Sequence, residues 1–208
     1  LLTIKEENKV ENLLEVKKVN KKYSKFTLKD FSFSIPAGSI VGFIGRNGAG
    51  KSTTLKGIMN LLHFDSGEVF FFGKDMKKYE LEIKQDIGFT MSEVSYYPNK
   101  SVKALASVTS MFYKNFDMDK FNKLCEHFGI STKLKIQELS TGMKVKYNLA
   151  LALSHDAKLL ILDEPTSGLD PISRDEILDI FKNIVKNGER SILFSTHITS
   201  DLDKCADR

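Results

Sequence analysis

Apolar positions along this chain change rhythm several times, and each rhythm predicts a different part of the fold. Between residues 12 and 35, "NLLEVKKV" and "TLKDFSFSI" mix apolar and polar positions at strand length around a polar loop. They predict two strands of an N-terminal antiparallel β part. "IVGFI", "AKLLILD" and "RSILFST" are short, nearly unbroken apolar runs, as expected of strands buried on both faces. "SGEVFFFGKD" reads as turn, strand and turn, and "DIGFT" as a further strand after a short charged helix. Helices are expected over about 51 to 62, through "TGMKVKYNLALAL", and over about 172 to 185. From about 102 to 135 the spacing becomes helical with aromatics, in "VKALASVTSMFYKNF" and "DKFNKLCEHFGI", which predicts a small helical subdomain extending to about 136. Strands alternating with helices imply an α/β fold around a mainly parallel central sheet, in one domain over residues 1–208. There is no internal repeat and no low-complexity segment.

One stretch breaks the apolar rhythm in a way that needs chemistry. "GRNGAGKST" follows the strand "IVGFI" and opens the helix at 51. Gly45, Gly48, Gly50, Lys51 and Ser52 fit G-x-x-x-x-G-K-[ST] in full, with Arg46, Asn47, Ala49 and Thr53 completing the loop. Backbone N–H groups that wrap a polyphosphate must approach its oxygens without Cβ atoms in the way. The helix that follows turns its positive N-terminal end to the same phosphates. Lys51 is placed to reach the outer phosphates, and the Ser52 hydroxyl is the expected Mg2+ ligand. A second signal is "LLILDEP", an apolar strand ending in two acids, Asp163 and Glu164. Such a pair can be a capping turn. Beside a phosphate loop, Asp163 is expected near the metal through water, with Glu164 placed to orient or deprotonate an attacking water.

Composition narrows the partners. Of 208 residues, 41% are apolar and 28% charged, the profile of an ordinary globular protein. The formal charge of +4 is too small to argue for nucleic acid, and no basic stretch is interleaved with aromatics. The lysines of "KKVNKKYSK" read as a solvated face. Cys125 and Cys205 lie far apart, which argues against a disulfide framework, and Cys125 with His127 has no second ligand pair to complete a metal site. No apolar run approaches the roughly 20 residues of a membrane-spanning helix.

Together these motifs resemble the ATP-binding cassette (ABC) ATPase family over nearly the whole chain. "LSTGM", residues 139 to 143, resembles the family's signature motif, and "SGLD", residues 167 to 170, its D-loop. His197 after "SILFST" matches the switch histidine, and Tyr23 stands where the family places an aromatic that stacks on adenine. The resemblance implies a P-loop NTPase that binds ATP and Mg2+ and hydrolyses ATP. It also implies a head-to-tail sandwich with a second nucleotide-binding domain, identical or homologous. Ser140 and Gly142 would touch the γ-phosphate held by the partner, and His197 that of its own domain. A helix N-terminus with a free hydroxyl and a bare amide suits such an anion.

Two positions depart from the family pattern. Thr141 and Met143 replace the first glycine and the glutamine of the usual Leu-Ser-Gly-Gly-Gln, as in bacterial multidrug-type exporters. In "IGFTMSEVSYY", Ser92 stands where a glutamine usually touches Mg2+ and the attacking water, with Glu93 beside it, so Ser92 is at most a weak metal contact. The reading that results is the ATPase subunit of an exporter, at the cytoplasmic face of the membrane, working with a separate transmembrane permease and no nucleic acid. A soluble ABC ATPase acting on ribosomes or DNA is the alternative, and a nucleotide-binding regulator is a third. The permease surface is expected on residues 102 to 135 and the loop 90 to 100, where "VSYYPNK" offers Tyr96, Tyr97 and Pro98. The first methionine is Met59, and Val10 after "KEE" is expected to be a start codon behind an upstream-translated stretch. Family members continue past "DKCADR", so truncation at that end is expected as well.

Overall fold

The computed structural model describes residues 12–22, 27–46, 48–91 and 97–206. Tyr23, Asn47, Ser92, Glu93, Tyr96 and the proposed start at Val10 lie outside them.

Two sheets form the body. Strands β1 (Asn12–Lys22), β2 (Thr27–Pro36), β4 (Ser66–Phe71) and β5 (Lys74–Asp75) make an antiparallel sheet in the order β2-β1-β4-β5. Strands β3 (Ile40–Ile44), β6 (Ile87–Thr90), β7 (Leu159–Asp163) and β8 (Ser191–Thr196) make a parallel sheet in the order β3-β8-β7-β6. Every residue of β7 and β8 is buried, and their side chains divide by parity, as the period of two requires. Leu159, Ile161 and Leu193 pack with Leu14, Val16, Ile35 and Phe71 of the antiparallel sheet and with Leu55 and Ile58 of helix α1 (Lys51–Ile58). Leu160, Leu162, Ile192 and Phe194 face the opposite way, against helices α5 (Thr141–Ser154) and α6 (Pro171–Val185). At about 1.5–3 kcal/mol for each fully buried large apolar side chain, these two layers dominate what opposes chain entropy.

The remaining helices are α2 (Glu80–Gln85), α3 (Val102–Ser110), α4 (Met118–His127) and α7 (Thr199–Cys205). The expected helical subdomain is α3 and α4 closing on α5, with Val102, Leu105, Phe121, Cys125, Tyr147 and Ala150 as its own small core. Cys125 is an interior helix residue, with burial pushing its thiol up to about 11. Helix α5 belongs to both bodies, turning Tyr147 and Ala150 to the subdomain and Leu149 and Ala152 to the sheet. Gln85 adds a polar tie. Its amide donates to Phe112 O at 2.9 Å, and its carbonyl accepts from Lys114 N at 2.9 Å.

Helix α1 stops four residues earlier than the apolar spacing suggests. Asn60 takes φ 56°, its N–H bonds to Gly57 O at 3.0 Å, and Leu61 N–H bonds to Lys56 O at 2.9 Å. This pair of bonds is a Schellman termination with asparagine in the left-handed position, so Leu61 leaves the helix exposed. Four helices begin on side-chain caps, from Ser101, Asp117, Ser140 and Asp170, the last followed by Pro171 in the first turn.

Candidate functional site

Parallel strands deliver their C-terminal ends to one edge of a sheet, and the polar residues singled out in the sequence collect there. β3 runs into the glycine loop, β7 ends at Asp163, and β8 ends at Thr196 ahead of His197. Gly45 N–H donates to Thr196 O at 3.4 Å, carrying the β3–β8 pairing into the start of the loop. Gly48 and Gly50 have φ of 80° and 89°, a left-handed backbone that side chains disfavour. Gly50 is also the N-cap of α1, so the bare turn and the helix start coincide. Lys51, Ser52 and Thr53 form the first turn of α1.

Lys51 is only 6% exposed, because its side chain folds back over the loop. Its Nζ donates to Gly45 O at 2.6 Å and lies 3.0 Å from Glu164 Oε1. The other oxygen of Glu164, Oε2, lies 2.7 Å from His197 Nδ1. Three residues from three segments are thereby linked in a line, Lys51 to Glu164 to His197. Glu164 has φ 49°, a conformation that costs a non-glycine residue about 1–3 kcal/mol and persists only when its surroundings hold it. Its N–H donates to Ser195 Oγ at 3.0 Å, and its carbonyl accepts from Ser167 N at 3.1 Å.

Asp163 is 3% exposed and accepts a 2.6 Å bond from Ser195 Oγ at Oδ1. By the alternation of β7 it points to the same face as Ile161, the face covered by α1, whose first turn carries Ser52. A hydroxyl and a carboxylate are hard oxygen donors, the set that suits Mg2+ when phosphates and water complete the sphere. Among the described residues no three of His, Cys, Asp and Glu form a group that could hold a metal ion by themselves.

Ser140 and Gly142 sit at the start of α5 and are brought next to the start of α6. A Cβ on Gly142 would meet Leu169 Cδ2 at 3.7 Å and Ser173 Cβ at 4.0 Å. Among the described residues, neither shares a hydrogen bond or ion pair with the glycine loop. The Ser140 hydroxyl is not free as expected. It accepts from Met143 N at 3.2 Å as the α5 cap, leaving its own proton to donate.

Sequence reasoning missed a buried polar knot on the opposite face of β8. Asp201, fully buried in α7, accepts from Thr166 Oγ1 at 2.6 Å and Thr196 Oγ1 at 3.4 Å. Its Oδ1 lies 3.9 Å from Arg174 Nε, and Arg174 also donates to Leu169 O at 3.4 Å. The knot ties the 166–170 loop to the residue before His197. Its sequence signal is faint, since Asp201 lies in a short polar helix that gives no hint of burial.

The fold and these motifs have clear relatives. The ABC transporter family profile matches residues 28–167. The chain is 34% identical over 181 residues to the ABC transporter ATP-binding protein YtrB of Bacillus subtilis (strain 168), covering 87% of this chain and 62% of that protein. It is also 34% identical to the lantibiotic transport ATP-binding protein SrtF of Streptococcus pyogenes, over 94% of this chain and 84% of SrtF. A solved ATP-binding subunit of an ABC transporter has the same fold, with a TM-score of 0.82 at 27% identity over 94% of this chain and 83% of that one. The chain thus spans less than two thirds of YtrB but most of SrtF. With a glycine loop, an acid-ended strand and a strand followed by a histidine at one sheet edge, and a family match over most of its length, the chain belongs to the ABC transporter family of ATP-binding proteins.

Proposed function

We propose that this chain is the ATP-binding and ATP-hydrolysing subunit of an exporter, acting through a separate membrane permease. One observation carries the chemistry: Lys51, Glu164 and His197 lie in bonding contact at the end of the parallel sheet, beside Asp163. The transport part rests on the relatives, several of which are named for transport and one for linearmycin resistance, and this favours it over a ribosome- or DNA-acting protein. Among the described residues no helix is long and apolar enough to cross a membrane.

In this reading the loop amides of 45–53 and the α1 N-terminus hold the phosphates of ATP. Lys51 exchanges its contact with Glu164 Oε1 for phosphoryl oxygens, which releases one carboxylate oxygen toward the attacking water. Glu164 accepts that water's proton as its oxygen bonds to the γ-phosphorus and the bridging P–O bond to ADP breaks. His197, held on Oε2, keeps the carboxylate oriented and presents its other nitrogen toward the γ-phosphate. Ser52 and Asp163 would hold Mg2+, which when bound neutralises charge on the β- and γ-oxygens. Tyr23 is assigned to the adenine, and Ser92 to a weak metal contact.

Ser140 is exposed and Gly142 half-buried next to Leu169 and Ser173, and we assign this corner to the second copy or a homologous cassette. The proton left on Ser140 and the Gly142 amide are the donors offered to the partner's γ-phosphate.

The permease surface is a groove of about 340 Å³ between the helical subdomain and β6. It is lined by Tyr97, Val108 and Phe112 together with Phe89, Thr90 and Tyr147. Tyr97 is 68% exposed and Phe112 70%, large apolar area of the kind that interface cores cover. His155 braces the groove, stacked on Tyr113 at 3.7 Å and with its ring nitrogens near Leu151 O and Ile87 O. Burial pushes its imidazole below the ordinary value, keeping it neutral near pH 7. A Tyr97→Ala change is expected to weaken capture of the membrane permease subunit and to uncouple transport. ATP affinity should stay within a few-fold. A pull-down with undiminished association and normal transport would leave Tyr97 as ordinary packing.

A further inference from the structure

The Ser195 side chain touches both acids at the end of β7. In the parallel register Asp163 stands opposite Ser195, and both side chains point to the α1 face of the sheet. The Ser195 hydroxyl has one proton and two lone pairs. The proton goes to Asp163 Oδ1 at 2.6 Å, and a lone pair takes the Glu164 N–H at 3.0 Å. Ser195 is fully buried, so each of its bonds is made away from competing water. The first bond fixes the rotation of the Asp163 carboxylate at the end of the strand. The second holds the backbone of Glu164 in its left-handed conformation, which decides where that side chain leaves the strand.

We propose that Ser195 is a positioning residue for this site, orienting the metal-binding carboxylate and the base through one hydroxyl. The inference rests on the ATPase reading of Asp163 and Glu164. Groups that orient a metal ligand without touching the metal are worth about 10–100-fold in metal affinity or activity. The same strand supplies a matched control. Ser191 is also fully buried, donates to Pro36 O at 2.8 Å and accepts from Ser39 N at 3.2 Å, at the strand end away from the acids. Ser191→Ala therefore removes a buried hydroxyl with two bonds from β8 without touching the site.

The test is binding of a fluorescent ATP analogue to the full chain, first in EDTA and then across a Mg2+ titration, with thermal melting recorded for each protein. Ser195→Ala is expected to bind the analogue within about twofold of wild type in EDTA and to need about tenfold more Mg2+ for the metal-dependent gain. Ser191→Ala should keep the wild-type Mg2+ midpoint even where its melting temperature falls as far. Ser195→Thr keeps the hydroxyl and should return the midpoint to near wild type, which also covers the case of an unfolded alanine variant. Equal Mg2+ midpoints for Ser195→Ala and wild type, a Ser191→Ala shift as large, or a Ser195→Thr midpoint displaced like that of alanine would overturn the role of Ser195. A wild-type protein with no metal-dependent gain would overturn the metal-site reading itself, and the two failures are distinct.

Discussion

A Lys51→Ala protein is expected to lose tight MgATP binding, and turnover with it. The Lys51 side chain is 6% exposed and folded over the glycine loop, so its interactions with phosphate would be made largely out of water. A hydrogen bond to a charged group is worth about 1.5–3 kcal/mol, and a weakening of roughly tenfold to more than a hundredfold in ATP affinity follows. The substitution also strips Glu164 of the Lys51 cation and leaves its contact with His197. The negative charge then stands unopposed where the γ-phosphate must come, which adds to the loss. Equilibrium binding of labelled ATP, with circular dichroism to confirm folding, checks this. Ordinary affinity and turnover in a folded Lys51→Ala protein would count against the phosphate-loop assignment.

Glu164→Gln separates binding from chemistry. The amide keeps the size and shape of the side chain but cannot accept the proton of the attacking water, and hydrolysis is expected to slow by roughly 10²–10⁴. ATP affinity should hold or rise, for a reason visible in the structure. Glu164 Oε1 lies 3.0 Å from Lys51 Nζ and competes with phosphate for the same ammonium, and the neutral amide competes less. Bound ATP is therefore expected to persist and an ATP-held dimer to accumulate, read by phosphate release and size-exclusion chromatography. Unchanged turnover would move the base to another residue, His197 first.

The sequence made the two ends of the site legible because local patterns specify them. A bare turn between a buried strand and a helix needs its glycines, and an apolar strand that ends in two acids needs a polar edge to end on. Helices α3 and α4 were equally visible, since their spacing and their caps at Ser101 and Asp117 are local. Local pattern overran the end of α1, because the Schellman stop at Asn60 depends on backbone bonds formed only once the turn closes. It also missed that the Ser140 oxygen accepts from Met143 N as the α5 cap, which leaves only the hydroxyl proton to offer. Ser195 and Asp201 were not found, and the cause is tertiary. A lone serine in "SILFST" does not say which residue of the neighbouring strand lies opposite, and register alone pairs it with Asp163. The Lys51–Glu164 contact likewise joins residues more than a hundred positions apart through the order of the parallel strands.

The central claim is that ATP is bound by residues 45–53 of one cassette and closed over by residues 140–142 of another. Amide hydrogen exchange of the Glu164→Gln protein, with and without MgATP, tests both halves in one measurement. The account predicts that ATP slows exchange in the loop and first turn of α1 and, in the same sample, at the start of α5, a segment that shares no hydrogen bond or ion pair with the loop among the described residues of its own chain. Loop amides that exchange equally fast with and without ATP would contradict the nucleotide site. Protection confined to residues 45–53, at protein concentrations that saturate self-association, would contradict the sandwich.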